Sequence, residues 1–308
     1  MASLTVRRLR PSTIAATVAA GGIGLGIFSK LMIGNAAADS GAPPKVFGAG
    51  PAFVSLPLES SEDVNHNTKR LRFKLPQRDA VSGFRGSDHG MARRQMVSRC
   101  QTIHSRSTPR YTTISPHAWK DSHTHPDDAG YLELMVKKYP DGKQSTHLHS
   151  LTPGQKLLFA AALKGHQWKP NSYPHVTLIA GGAGITPIYQ LAQGILRNPE
   201  DKTAITLIFG VNSNQDVLLK KEFEQFEKEF PGRFRAIYTV SNPVAGSPYR
   251  KGYVTKQLLE EVAPRPKTAE TKVFVCGPPA METALVGKRT SPGILQQLGY
   301  TKDQIHQF

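Results

Sequence analysis

Two glycine-bearing stretches are the parts of this chain best suited to chemistry: IAGGAGITP, with Gly181, Gly182 and Gly184, and FVCGPPAM, with Cys276, Gly277, Pro278 and Pro279. Each closes an apolar run that reads as a strand, and the first opens a run that reads as a helix. Glycines between a strand and a helix let backbone N–H groups approach a pyrophosphate, and the helix N-terminus favours the anion. The stretch is not a complete G-x-G-x-x-G, so the glycines alone also suit a tight turn. The second stretch would bring a thiol and a rigid turn to the same carboxyl edge of a sheet, and two such loops at one edge suggest one ligand. Cys276 taken alone equally suits a buried structural thiol, because no base stands beside it. The two cysteines, Cys100 and Cys276, lack paired spacing, which excludes a disulfide framework and a cysteine zinc site. His147 and His149 would point apart on a helix, so no metal site is expected.

The elements that must carry these loops fall into two patterns. From Val46 to Gly165 the readable runs are strand-like: FVSLPLES, TKRLRFKLP, YLELMVKKY and KLLFAAAL, separated by turn signals at Pro140-Asp141-Gly142 and Pro153-Gly154. They outline a small antiparallel barrel or sandwich. After the stretch 166–174 the rhythm becomes strand, loop, helix, repeated from VTLIAGGAG through AITLIFGVN and RFRAIYTVS to KVFVCGPPAM. DVLLKKEFEQFEKEF reads as the second of the helices. Continuous apolar strands alternating with helices imply a parallel sheet covered on both faces.

The amino terminus reads separately. Arg7, Arg8 and Arg10 precede the first acidic residue, Asp39, which is the composition of a mitochondrial presequence. Ile14 to Phe28 is uncharged and the apolar character resumes after Lys30, so we expect a single membrane anchor followed by a flexible tether ending near Pro43-Pro44. The expected organisation is 1–45 targeting and anchor segment, 46–165 barrel domain, 166–174 linker and 175–308 parallel-sheet domain. Across 308 residues, 39 Lys and Arg against 23 Asp and Glu give a formal charge of +16, which calls for an acidic partner or surface without choosing one. The arginines concentrate in the tail and in one odd segment rather than on a patterned face, so nucleic acid is not the expected partner.

GGAGITP, followed by VFVCGPPAM, with GKQS and a tyrosine-threonine-serine group upstream, resembles the ferredoxin reductase superfamily and within it the NADH–cytochrome b5 reductase branch. The presequence and anchor resemble those of the fungal mitochondrial form, which would put the chain in the outer membrane, with the intermembrane space as a further location after processing. The resemblance implies an FAD-binding antiparallel β-barrel followed by a doubly wound NAD-binding domain. It also implies an NADH-dependent flavoprotein reductase that takes hydride onto FAD and passes single electrons to cytochrome b5 or a similar acidic haem protein, as a monomer. By the same resemblance Tyr111, Thr112 and Ser115 clasp the flavin. Met135 offers its backbone, Lys137 lies near the flavin ring, and Lys143, Gln144 and Ser145 meet the pyrophosphate. Gly181, Gly182, Gly184, Thr186, Gly277 and Pro278 line the cofactor site. Cys276 borders the nicotinamide, and Phe308 covers part of it. Thr186, Cys276 and Lys137 are the residues expected closest to the chemistry, acting by positioning.

Three departures stand out. The arginine of the clasp pattern belongs at Pro109, whereas this chain carries Arg110 one residue later, which turns its side chain to the opposite side of an extended strand. Ser241 in YTVSNP stands where relatives can carry an acidic residue, so preference for NADH over NADPH follows from the branch and not from a charge. The stretch 84–109 holds five arginines and no strand-like alternation where the family needs two barrel strands. We read it as an out-of-frame or misread stretch. If the barrel is broken there, the alternative is a nucleotide-binding module without flavin activity.

Overall fold

The computed structural model describes residues 43–47, 50–83, 98–99, 113–114, 129–162, 166–263 and 270–308, with the backbone alone at 50–52, 98–99, 113–114 and 160–162. Tyr111, Thr112, Ser115 and the amino-terminal segment up to residue 42 lie outside the described residues. Lys45–Phe308 forms one compact unit.

Its first half is antiparallel. Strands β1 (Gly50–Asn65), β2 (Thr68–Lys74), β5 (Tyr131–Lys137) and β6 (Lys156–Ala162) make a four-stranded sheet in the order β5-β2-β1-β6. A short pair, β3 (Ser98–Arg99) and β4 (Thr113–Ile114), is hydrogen-bonded in the register Ser98↔Ile114. Strand β3 lies alongside β6 and β4 alongside β5, so the pair bridges the two ends of the sheet and completes a barrel-like ring. Of the stretch 84–109, the described residues are Ser98–Arg99, which form a strand. Alternation along β2 and β5 sends Leu71, Phe73, Leu132, Leu134 and Val136 into a core shared with Phe47, Leu56, Leu58 and Phe159. The opposite faces carry Arg72 and Glu133, directly paired across the strands and ion-paired at 2.6 Å. Helix α1 (Lys143–Ser150) follows β5 and adds Leu148 to that core.

The second half is a parallel sheet in the order β10-β9-β8-β7-β11-β14, with β7 (His175–Gly181), β8 (Ala204–Val211), β9 (Phe234–Val240), β10 (Arg250–Lys251), β11 (Thr271–Cys276) and β14 (Ile305–Gln307). A small hairpin, β12 (Gly287–Lys288) and β13 (Ser291–Pro292), stands apart from it. The central strands are buried on both faces. One face packs against α2 (Ile185–Leu196) and α3 (Lys220–Glu229) through Leu178, Leu207, Ile188 and Phe223. The other packs against α4 (Lys256–Val262), α5 (Pro279–Val286) and α6 (Ile294–Gln297) through Ile179, Ile208, Leu259 and Leu295. The strand order starts in opposite directions from β7, so the crevice at its carboxyl end is the topological switch point of the sheet.

Helix α3 starts later than its sequence suggests. Ser213 and Asp216 form a capping box around a single 3-10 turn, Asn214–Asp216. Leu218 and Leu219 are then drawn into the core, which forces Leu219 to φ +61° before the helix begins at Lys220. Burial of two leucines outweighs continuous helix propensity here. The stretch 166–174 also differs from a free linker. Trp168 is buried and donates its indole N–H to Asp201 at 2.7 Å, and the Asn171 and Thr203 backbone N–H groups reach the same carboxylate.

Candidate functional site

The site is built at the carboxyl edge of the parallel sheet, where the glycine stretch after β7 and the cysteine stretch after β11 are in contact. A Cβ placed on Gly184 would overlap the Cys276 carbonyl, and one on Gly181 would meet Met281 Sδ and, at 2.8 Å, Pro278 Cδ. These two glycines serve close packing of loop on loop. Gly182 is different: its φ is +49° and a Cβ there would meet nothing within 4 Å. Of the three glycines expected to cradle a phosphate, Gly182 is the one with open space above it, and the other two hold it there.

Thr186 stands in the first turn of α2, buried, with its hydroxyl donating to the Ala183 carbonyl at 3.1 Å. It closes the turn and leaves its oxygen lone pairs as acceptors. Cys276 is buried at the end of β11, and burial, reinforced by Glu282, pushes its thiol up to about 12. It is a neutral thiol at physiological pH and can act only as an apolar wall or a weak donor. The Gly277 N–H donates to Glu282 Oε1 at 3.0 Å, so α5 holds the CGP turn in place, with Pro278 exposed at its tip. Phe308 lies half-buried against Phe274 and His306, with its backbone N–H bonded to Val275 at 3.1 Å. The expected residues Gly181, Gly182, Gly184, Thr186, Cys276, Gly277, Pro278 and Phe308 thus gather around one edge.

From the barrel side β5 supplies the rest. Met135 is buried as a member of the hydrophobic core cluster of the second lobe, so the lobes share packed side chains at this strand. Lys137, expected near a flavin ring, sends its ammonium across the boundary to Asp216 at 2.7 Å. Lys143 is exposed and Gln144 half-buried at the start of α1. That helix has no side-chain cap and no acidic residue in its first turn, which leaves its N-terminal donors suited to an anion. The Ser145 hydroxyl accepts the Tyr139 N–H at 3.1 Å and donates to the Gly142 carbonyl at 2.9 Å. The hydroxyl is spent closing the turn, and its backbone N–H remains for a phosphate. Gly142 is fixed by the same contact, since a Cβ there would strike Ser145 Oγ. His149 bonds the Val136 carbonyl through Nε2 at 2.7 Å, a structural role. Among the described residues no group of His, Cys, Asp or Glu could hold a metal ion.

Two residues of this edge went unnoticed in the sequence, Asp216 and Glu282. Asp216 had a signal: Ser213 and an acid three residues later read as a capping box. Glu282 had none, because its partners are distant backbone and a distant glutamine.

Comparison with known proteins agrees with this geometry. Residues 55–167 match the oxidoreductase FAD-binding domain and residues 178–286 the oxidoreductase NAD-binding domain. The chain is 43% identical over 311 residues to NADH-cytochrome b5 reductase 2 of Emericella nidulans, covering 98% of this chain and 92% of that relative. The chain belongs to the NADH–cytochrome b5 reductase family. A second family member, NADH-cytochrome b5 reductase 2 of Pyricularia oryzae, is 45% identical over 273 residues, 86% of this chain and 78% of that relative. Among solved structures, the cytochrome b5 reductase domain of Ulva prolifera nitrate reductase superposes with a TM-score of 0.66 at 25% identity, covering 83% of this chain and 97% of that one. The cytochrome b5 reductase family thus accounts for both lobes, each with its own cofactor-binding domain, and the alternative of a nucleotide-binding module without flavin activity is not favoured.

Proposed function

We propose that this chain carries hydride from NADH to FAD and then passes single electrons to cytochrome b5 or a similar acidic haem protein. The observation that carries the reading is the contact of two loops at one sheet edge, the open Gly182 turn and the buried Cys276 turn packed against it, in a chain whose barrel is tied to the parallel-sheet lobe through Lys137 and Asp216. When bound, the flavin and the nicotinamide supply the hydride and electron chemistry themselves. The chain's part is to hold and orient. Gly182 and the first turn of α2 receive the nucleotide phosphates, while the N-terminal donors of α1, with Lys143 and Gln144, receive the flavin pyrophosphate. Tyr111, Thr112 and Ser115 clasp the flavin, and the Met135 backbone lies in a strand at the end of its sheet. Cys276, Gly277, Pro278 and Phe308 wall the nicotinamide side and exclude water. Thr186 steadies the turn between the two cofactors.

The reading extends to the amino terminus. Residues 1–45 serve as a mitochondrial import signal and a single anchor in the outer membrane, supported by Arg7, Arg8 and Arg10 ahead of any acid and by the uncharged run from Ile14 to Phe28. Among the described residues no helix is long and apolar enough to cross a membrane, and residues 1–42 lie outside them. The chain works as a monomer and takes NADH in preference to NADPH.

The test is the visible spectrum of the protein from Val46 to Phe308, followed by rapid mixing with NADH. Flavin bands that bleach support the reading. A protein that binds NADH but carries no flavin and accepts none would refute it.

A further inference from the structure

Four donors converge on the Asp216 carboxylate, and they divide by lobe. Its Oδ1 accepts from Lys137 Nζ at 2.7 Å and from Asn67 Nδ2 at 3.1 Å, both on the barrel side. Its Oδ2 accepts from the Ser213 hydroxyl at 2.7 Å and the Ser213 N–H at 3.1 Å, both within its own turn. A carboxylate has about four acceptor sites, so this one is saturated. Besides Lys137, two titratable groups face it: His66, on the turn between β1 and β2, at 4.0 Å, and Tyr139, just beyond β5. Beside the carboxylate, Asn65 Nδ2 donates to the Gln215 carbonyl at 2.9 Å, and the Lys138 N–H donates to the Asn67 carbonyl at 2.7 Å. The two lobes are thus stitched at one point by polar groups of the β1–β2 turn, the end of β5 and the turn after β8.

This point is stiff on both sides. The capping box fixes Asp216 in its lobe, and Leu218 and Leu219 anchor the chain just beyond it. Lys137 closes the ladder of β5 on β2, opposite Thr68. The Lys137 and Asp216 side chains are only 13% and 6% exposed, so solvent screens their attraction weakly, and removing either would strand a buried charge. The turn carrying Asp216 follows β8, the direct neighbour of β7 and its glycine loop. One carboxylate therefore spans the flavin-side strand and the nucleotide-side sheet edge.

We propose that Asp216 is a positioning residue for the hydride step: by gripping Lys137 it fixes the separation between the strand that serves the flavin and the sheet edge that serves the nicotinamide. The inference rests on the reaction proposed above, in which rate depends on the donor and acceptor atoms being held close. A misplacement of about 1 Å costs on the order of a hundredfold in rate. Simple adhesion between lobes would affect stability alone, whereas positioning affects the reaction at saturating NADH.

The experiment compares the wild-type full chain with Asp216→Asn, Lys137→Met and the double variant, using two readouts. In cofactor-free protein, hydrogen exchange of the 65–67 and 213–217 amides is expected to quicken about tenfold or more in each single variant. In flavin-loaded protein, the limiting rate of bleaching at saturating NADH is expected to fall about tenfold or more, with an altered isotope effect for NADH deuterated at its transferred position. The double variant should be no slower than either single one, because both remove the same contact. A limiting rate unchanged in either single variant, or losses that multiply in the double, would overturn the proposal. Should Asp216→Asn not fold, Asp216→Glu replaces it, and a limiting rate equal to that of the wild type counts against the proposal. A wild-type flavin that NADH does not bleach refutes the proposed reaction and this inference with it, whereas a bleached wild type with unaffected variants refutes the inference alone.

Discussion

Gln307 donates its side-chain amide to Glu282 Oε2 at 2.7 Å, while the other oxygen of the same carboxylate accepts the Gly277 N–H at 3.0 Å. A single side chain on α5 therefore ties the last strand of the sheet to the turn that follows Cys276. Replacing Glu282 with Ala removes both bonds and leaves the Gly277 donor to water. We expect a loss of about 1–2 kcal/mol in stability and a raised KM for NADH with a smaller change in kcat. Glu282→Gln keeps an acceptor for Gly277 and should recover most of the affinity. Urea melts and NADH titrations of the two variants check this.

The aromatic group behind the same strand predicts a pH dependence. Burial lowers His166 to about 4, helped by His306 and Lys272, and burial followed by Lys272 lowers His306. The rings pack tilted at a centroid distance of 4.5 Å, with Phe274 beside both. Groups whose native values lie below the unfolded value of about 6.5 bind protons more readily when unfolded, so stability is lost as pH falls from about 6.5 toward 4 and then levels off for His166. Thermal midpoints between pH 7 and pH 4 should fall accordingly, and His166→Phe should flatten that part of the curve.

Asp216 acts with the same sign in a lower window. Burial works against its charge, yet bonds from Lys137, Ser213 and Asn67 hold its carboxyl down at about 2. Its contribution is present above the unfolded value near 3.9 and is lost only as pH falls from there toward about 2. In the Asp216→Asn variant, the acid limb of the stability curve should be shallower in that window.

The buried thiol predicts chemical inertness. With Cys276 pushed up to about 12, alkylation by iodoacetamide at pH 8 should run at least about a hundredfold slower than for free cysteine. Peptide mass mapping of the Cys276 segment over time measures it, and rapid labelling would show that the end of β11 opens readily to solvent.

Glycine substitutions separate packing from approach. Gly184→Ala drives a Cβ into the Cys276 carbonyl, with an expected cost of about 1–3 kcal/mol or more and loss of NADH binding. Gly182→Ala meets no atom and incurs only the cost of its positive φ, about 1 kcal/mol, so it should fold and yet bind the dinucleotide more weakly. Equal stability losses in the two variants would contradict the division of labour among these glycines.

The parallel sheet was legible in β7, β8, β9 and β11, whose runs are mostly apolar and end in turn residues, whereas β10 (Arg250–Lys251) and β14 (Ile305–Gln307) are too short and polar to carry such a signal. The barrel strands were legible where alternation is strict, as at Leu71 and Phe73 or Leu132 and Leu134. Ser98–Arg99 was not, because a two-residue strand carries no period and owes its pairing to Thr113–Ile114. Gly181, Gly184 and Cys276 could be placed at one edge from sequence, yet their mutual contact could not, since it depends on β7 and β11 being neighbours. Asp216 escaped for a related reason. Its local pattern shows a cap, and its partner Lys137 lies 79 residues away on another lobe.

The knot at Asp201 has a mechanical consequence. Because Trp168, Asn171 and Thr203 all fasten to that carboxylate, the chain from Trp168 onward moves as a part of the parallel-sheet lobe. Any pivot between the lobes is displaced upstream of Trp168, and a swap of this lobe between two homologous proteins has to cut before Trp168. A junction placed at His175 would leave Asp201 buried with its indole partner on the wrong parent, and the resulting chimaera would inherit a mismatched joint.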